Sequence, residues 1–279
     1  MLIKGIEIDN LIGEALTPLD ARSAEVLKHR YGLESEKKHT LASLGNEYGL
    51  TRERIRQIEA AALAGSRAHV ANRDDSQHFI KTVHHYLSCV GNVRRSDMLV
   101  RDVQVLWGIQ RSEKMLSNQL HFLADILDEP YIVGGNGDFH RTWHNDEEAY
   151  QTAQAIVTHL LETEKHDFDH FMQAVTDKFS IPESMVLNYV SISKQFAIGP
   201  YGHLGAKHWM HVNPKTVRDK SYLVLWRSGK PLHFREIAEQ VNSLKRMKKA
   251  HPATVHNELI KDPRFTLVGR GVYALKDDQ

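Results

Sequence analysis

Apolar positions along this 279-residue chain recur at intervals of three and four over most of its length. That spacing predicts a mainly α protein. Leu2, Ile3, Ile6, Ile8, Leu11 and Ile12 give an amphipathic helix within residues 1–15. Thr17-Pro18-Leu19-Asp20 reads as the next helix start, with Thr17 as N-cap, proline first and an acid third; the helix runs to Tyr31 and Gly32 ends it. After a polar loop, Thr40 to Tyr48 reads as a short helix, and Gly49 as a turn residue, because a positive φ is cheap only for glycine. Thr51 is a suitable N-cap for a further helix on which Ile55, Ile58, Ala62 and Leu63 form the apolar stripe. Arg52, Glu53, Arg56 and Gln57 lie opposite, long enough to reach a base edge from a helix lying in a DNA groove. This pair reads as a helix-turn-helix whose second helix fades at Ala64-Gly65-Ser66 or a turn later, with Ala71–Ser76 as a linker.

The remaining chain repeats one plan. Phe79, Val83, Tyr86 and Leu87, then Met98 to Leu106, then Leu116, Leu120, Leu123 and Leu127 mark three helices; Tyr131–Val133, a Gly-Gly-Asn-Gly turn and Phe139–Trp143 mark a hairpin. Three helices closed by a hairpin is a winged-helix plan. Residues 147–210 and 218–276 follow it again, and Phe168, Phe171, Val175, Val186, Asn188, Phe196 and Gly202 align with Phe234, Ile237, Val241, Val255, Asn257, Phe265 and Gly271. The spacing suggests an internal repeat. The expected architecture is therefore mainly α, an N-terminal helix-turn-helix followed by tandem winged-helix domains with small β-hairpin wings. Its expected divisions are 1–75, 76–146, 147–212 and 213–279.

Two segments carry a family resemblance. Leu19, Val26-Leu27, Arg30-Tyr31-Gly32-Leu33, Thr40-Leu41, Gly45 and the unbroken run Gly49 to Ala60 resemble region 4 of the primary bacterial sigma factors. The resemblance implies that the second helix enters the major groove at a −35 promoter element. There Arg52, Glu53 and Gln57 would touch bases, with Arg54 and Arg56 near phosphates; Thr51 would start the helix. It also implies contact with RNA polymerase, including its β flap. The chain departs from the family at Ala61 and Ala64-Gly65-Ser66, where relatives have a basic helix end, and no stretch resembles the region 2 helix that melts the −10 element. Gly229 to Ala238, Ala253 to Leu259, Asp262 to Phe265 and Val268 to Leu275 resemble the HARE-HTH winged helix, shared with the RNA polymerase delta subunit. Of that subunit's long acidic tail only Asp277-Asp278 remain, so its displacing action is not implied.

Composition refines this reading. The net charge is only +1, but it is unevenly spread. Residues 1–111 hold 16 basic and 14 acidic side chains, 112–185 hold 4 and 14, 186–210 hold 2 and none, and 211–279 hold 14 and 7. Cationic ends suit phosphate, while an acidic middle suits protein or solvent. Lys245, Arg246, Lys248 and Lys249 form one basic cluster for phosphate, and Arg264 and Arg270 on the last wing are weaker candidates of the same kind. Arg56 is equally suited to phosphate or to pairing with Glu53 or Glu59. One cysteine, Cys89, provides no disulfide or cysteine zinc site, and no apolar run approaches a membrane span. The histidines near 166–170 and 203–211 lack the ligand pattern of a closed zinc site. No metal, cofactor or catalytic constellation is expected, nor an enzyme; Tyr201, Trp209 and Trp226 read as core or interface anchors. The expected function is a cytoplasmic, nucleoid-associated transcription factor that binds double-stranded DNA and RNA polymerase. The rival is a polymerase-associated, delta-like adaptor acting by protein contacts. The DNA site and oligomeric state are not legible.

Overall fold

The computed structural model describes residues 6–162, 168–244 and 249–276, and is mainly helical with small antiparallel sheets. It divides into two compact units: residues 1–159 with 175–194, and residues 160–174 with 195–279.

In the first unit, α1 (Ile8–Leu16) buries Ile8, Leu11, Ile12 and Ala15. Thr17 closes this helix, its hydroxyl donating to the Gly13 carbonyl at 3.0 Å. The cap of α2 (Ala21–Tyr31) is instead Asp20, whose carboxylate accepts the Ser23 N–H at 2.9 Å. The expected start at Thr17 is thus displaced: both residues are good caps, and the reach of α1 decides between them. Gly32 ends α2 with a φ of 64°. Next come α3 (Leu41–Tyr48) and α4 (Arg52–Val70), and α5 (Asp74–Cys89) begins after only a short break. The second half of the expected linker, Asp74–Ser76, is therefore helix, and its Ser76 is fully buried.

Beyond α5 the order is β1 (Val93–Arg95), α6 (Ser96–Leu106), α7 (Glu113–Leu127), β2 (Tyr131–Val133) and β3 (Thr142–His144), with β3 central between β1 and β2. This is a winged helix carrying one strand, β1, beyond the predicted hairpin. The turn between β2 and β3 is also longer than a tight one, running from 134 to 141. Asn136 folds it, its side-chain oxygen accepting the N–H groups of Asp138 and Phe139 at 2.9 and 2.8 Å. α8 (Glu147–Glu162) follows, then α9 (Phe168–Phe179), whose residues from 175 on belong to this unit, and α10 (Glu183–Ile192). α10 is tied to β1 by Asn188, whose amide donates to the Val90 and Val93 carbonyls at 2.8 and 2.5 Å.

One apolar core runs through this unit. It joins α1, Leu27 of α2, Ala62 and Val70 of α4, and the buried faces of α5, α6 and α7 around the fully buried Phe79, Phe122 and Trp143. A second, smaller core under the helix-turn-helix contains only Val26, Leu44 and Ile55, flanked by Leu41, Tyr48, Leu50 and Ile58. Each such side chain contributes ~1.5–3 kcal/mol on burial, too little for α3 and α4 to hold their arrangement without the larger core.

In the second unit, β4 (Phe196–Ile198) pairs with β5 (Leu204–Ala206). Gly205 lies so close to Trp209 that an added Cβ would sit 2.6 Å from its ring. The last winged helix comprises α11 (Val217–Ser228), β6 (Leu232–His233), α12 (Phe234–Ser243), α13 (Pro252–Lys261), β7 (Phe265–Gly269) and β8 (Val272–Leu275), with β8 central. Its core is built on Val224, Leu225, Ile237, Val241, Val255, Leu259 and Tyr273. The aligned positions of the two C-terminal segments agree at Val186 and Val255, both fully buried, and at Phe196 and Phe265. They part at asparagine: Asn188 is buried, Asn257 exposed.

Candidate nucleic-acid interface

The helix-turn-helix is set by two glycines with different duties. Gly49 caps α3 in the left-handed region, φ 66°, where its N–H reaches the Gly45 carbonyl. The following N–H, that of Leu50, reaches the same carbonyl at 2.8 Å, which reverses the chain at once. Gly45 is glycine for another reason: an added Cβ would lie 2.7 Å from the Leu50 carbonyl oxygen and 3.4 Å from the Arg52 nitrogen. The sequence names Gly45 as a shared position without explaining it; the close approach of the turn to α3 supplies the explanation.

Thr51 caps α4, its hydroxyl accepting the Arg54 N–H at 3.1 Å. Ile55 is fully buried, while Arg52, Glu53, Arg54, Arg56 and Gln57 are all exposed. Two internal bonds order this polar face. Arg56 binds Glu53 through Nε and a terminal nitrogen, the shortest contact being 2.7 Å, and this guanidinium, more than any other neighbour, lowers the pKa of the Glu53 carboxyl. Arg54 donates to Gln57 at 3.3 Å. Glu59 is closed to Arg56 because it accepts from Arg30 of α2 at 3.0 Å, and Arg30 also holds the His39 carbonyl. Of the two carboxylates open to Arg56, Glu53 is the one engaged, in an exposed pair that a phosphate can compete for. Arg52 has no ion pair among the described residues.

The departure from the sigma pattern has a structural use. α4 runs on to Val70, the later of its two expected ends, and Ala62 and Val70 bring one face of its second half into the main core. Ser66 is fully buried, and a Cβ on Gly65 would sit 3.3 Å from Leu19. Arg67 anchors the end, pairing with Asp128 at 2.6 Å and donating to the Asp125 carbonyl at 2.8 Å.

The second helix-turn-helix of this unit, α6 and α7, is arranged differently. On α7 nearly every residue from Leu116 to Ile126 is buried. Asn118 and Gln119 donate to the Gly32 and Leu33 carbonyls at the end of α2. Beyond its exposed first turn, with Glu113 and Lys114, this helix has no face free to lie along a major groove.

In the second unit, Lys249 and Arg270 are exposed, and Arg270 stands at the turn of the last wing between β7 and β8. Gly271 beside it needs its φ of 74°, and a Cβ there would strike His233 at 2.8 Å. Lys245, Arg246 and Lys248 lie outside the described residues. Arg264, weighed as a weaker phosphate contact, is instead engaged by Asp262 at 2.6 Å and Asp219 at 3.2 Å. Trp209 is buried, as an anchor should be, whereas Trp226 is half exposed and packs edge-on to His203. Among the described residues no three potential metal ligands come together, and no helix is long and apolar enough to cross a membrane.

Comparison with known proteins assigns both ends. Residues 15–65 match the family described as Sigma-70, region 4, and residues 215–277 match the HARE-HTH family, a helix-turn-helix domain named in part for ASXL proteins and restriction endonucleases. The N-terminal helix-turn-helix is thus of the sigma region 4 type, and the last winged helix of the HARE-HTH type. The first is 50% identical over 62 residues to the RNA polymerase principal sigma factor HrdD of Streptomyces griseus, covering 22% of this chain and 18% of that one. It is 49% identical over 57 residues to the RNA polymerase sigma factor RpoD of Neisseria gonorrhoeae, covering 20% of this chain and 8% of that one. The chain therefore spans less than a fifth of the length of these relatives. No solved structure matches.

Proposed function

We propose that the chain is a DNA-binding transcription regulator that reads a −35-like promoter element through α4. The observation that carries this reading is the exposed row of Arg52, Glu53, Arg54, Arg56 and Gln57 on a helix fixed by its neighbours. Arg52, Glu53 and Gln57 contact base edges, a bidentate contact discriminating by ~1–3 kcal/mol. Arg54 and Arg56 face phosphates, and Thr51 starts the helix. Lys249 and Arg270, with Lys245, Arg246 and Lys248, add phosphate contacts from the C-terminal winged helix. The four segments 1–75, 76–146, 147–212 and 213–279 act as modules of one regulator. The similarity to sigma factors supports RNA polymerase, including its β flap, as the protein partner, and a place in the cytoplasm at the nucleoid. Neither matched domain is of an enzymatic type. The test is fluorescence anisotropy on a −35-containing duplex and a scrambled one. If Arg52→Ala and Gln57→Ala leave the preference between the duplexes unchanged, α4 does not read bases.

One observation favours a second reading, a delta-like adaptor bound to polymerase mainly through protein contacts: the buried α7 leaves the middle winged helix without a groove-reading face. In that case the protein co-purifies stably with polymerase while its DNA affinity barely responds to salt.

A further inference from the structure

A cleft of about 600 Å³ opens between α6, the first half of α7 and the 134–141 wing of the first unit. Its floor is a buried polar chain. The Trp143 indole donates to Ser96 Oγ at 3.1 Å, and His121 Nε2 lies 3.0 Å from the same oxygen. Arg141 stands 3.4 Å from His121 Nδ1. A guanidinium can only donate, so Nδ1 is the accepting nitrogen and Nε2–H donates to Ser96. Ser96 then accepts twice and keeps a hydroxyl proton to offer.

The walls are cationic, with Lys114 on α7, Arg141 on the wing and Lys194 after α10. The two acids at the rim are already engaged: Asp97 by Nε and one terminal nitrogen of Arg95, and Glu113 by Arg101 at 3.1 Å to each oxygen. Lys114 and Arg141 have no carboxylate partner among the described residues, and Lys194 reaches only the Asn136 carbonyl. Nearby Lys38 is likewise without an ion pair among the described residues; burial followed by repulsion from Arg141 lowers its pKa, against the opposing pull of the Asp125 carboxylate. Burial, then Arg141 and Lys38, push the pKa of His121 down to about 3. The imidazole is therefore neutral at pH 7 and adds no charge of its own to the three cations.

We propose that this cleft binds a phosphate-bearing anion, held by Arg141, Lys114 and Lys194 over the Ser96 hydroxyl. Its volume falls within the ~300–1,000 Å³ of small-molecule sites. The buried flanks of α7 exclude a duplex seated along that helix, leaving a free phosphate compound or a single backbone phosphate as the source. The site shares no residue with the polar face of α4, so it stands or falls separately from promoter reading.

The test uses the full chain, isotopically labelled, with the Trp143 indole N–H resonance as reporter, assigned through Trp143→Phe. Inorganic phosphate, a nucleoside triphosphate and a random-sequence duplex are titrated separately at constant ionic strength. A saturable shift with either small compound, weakened about tenfold by Arg141→Gln, the factor one charge-assisted hydrogen bond is worth, supports a free phosphate ligand. The same behaviour with the duplex alone supports a backbone phosphate. No saturable shift with any of the three, or equal affinities in wild type, Arg141→Gln and the exposed variant Lys114→Ala, overturns the proposal.

Discussion

Replacing Gly45 by alanine tests whether the turn really presses on α3. Helix propensity alone favours the change by ~1 kcal/mol, because glycine is the poorer helix former. The new methyl carbon, however, would stand 2.7 Å from the Leu50 oxygen, where relaxed carbon–oxygen contacts begin near ~3.3 Å. The obstructing atom is backbone, and moving it moves the start of α4. Overpacking of this kind costs ~1–3 kcal/mol, and the stiffness of the neighbour argues for the upper end. A net loss of ~2 kcal/mol follows, equivalent to about 30-fold faster exchange of protected amides. Gly49→Ala provides the comparison: an added Cβ there meets nothing within 4 Å, so only the left-handed φ of 66° is penalised, at ~1–2 kcal/mol. Asparagine, which tolerates that region, should restore most of the loss at 49 but none at 45. Hydrogen exchange of the Leu44 and Ile55 amides, with urea unfolding as a check, reads both effects. If Gly45→Ala exchanges as slowly as wild type or more slowly, the propensity gain has gone unopposed and the close-approach argument fails.

Other expectations follow from the same geometry. Arg54→Ala should lower the log–log salt slope of duplex binding by ~0.9 for its one phosphate while leaving sequence preference intact, as anisotropy at several salt concentrations would show. Asn188→Ala strips two carbonyls of their donor and should cost ~1–3 kcal/mol in urea unfolding, whereas the exposed Asn257→Ala should be near neutral. His121 makes folding acid-sensitive. Its folded pKa of about 3 lies below the unfolded 6.5, so its contribution is complete above pH 6.5 and is lost as pH falls towards 3. The slope approaches ~1.4 kcal/mol per pH unit. Urea midpoints between pH 7 and 5, above the range of the carboxylates, should show this loss in wild type and not in His121→Gln.

How much could be read without coordinates depended on whether a feature was local. The α3–turn–α4 unit was legible because Thr51, Gly49 and the Ile55–Ile58–Ala62 spacing each act within a few residues. β1 was not, since Val93–Arg95 is a strand only because His144, Trp143 and Thr142 lie opposite it. The wing between β2 and β3 looked like a tight glycine turn; Asn136, folding the chain with its own side chain, made it longer. At the candidate interface, exposure followed from helical phase, but the partner of Arg56 depended on Arg30 having taken Glu59 from another helix. Ser96, His121, Arg141 and Trp143 could not have been grouped from sequence. They stand on three elements and a loop, and none carries a motif.

The same distinction between local and distant constraints accounts for the departure of α4 from the sigma pattern at Gly65 and Ser66. Its first half, Arg52 to Gln57, rests on the small core of Val26, Leu44 and Ile55 and keeps its long polar side chains in solvent. Its second half carries Ala62, Gly65 and Ser66 where bulk would push α1, Leu19 and α7 away, and Arg67 locks it to the end of α7. A basic helix end suits a helix whose tail lies in solvent beside phosphate. It does not suit the buried position Ser66, because burying a lysine or arginine there without a partner would cost more than the packing returns; Ala61 and Ala64 are exposed, and nothing in the structure explains their departure. The two halves can therefore be separated by experiment. A larger residue at Ser66, such as Leu, should destabilise the α1–α4–α7 packing and reduce specific and non-specific DNA affinity alike. Arg52→Ala should lower only the specific affinity. If Ser66→Leu left stability unchanged and altered sequence preference, the second half of α4 would be part of the reading surface, and its burial would not explain its composition.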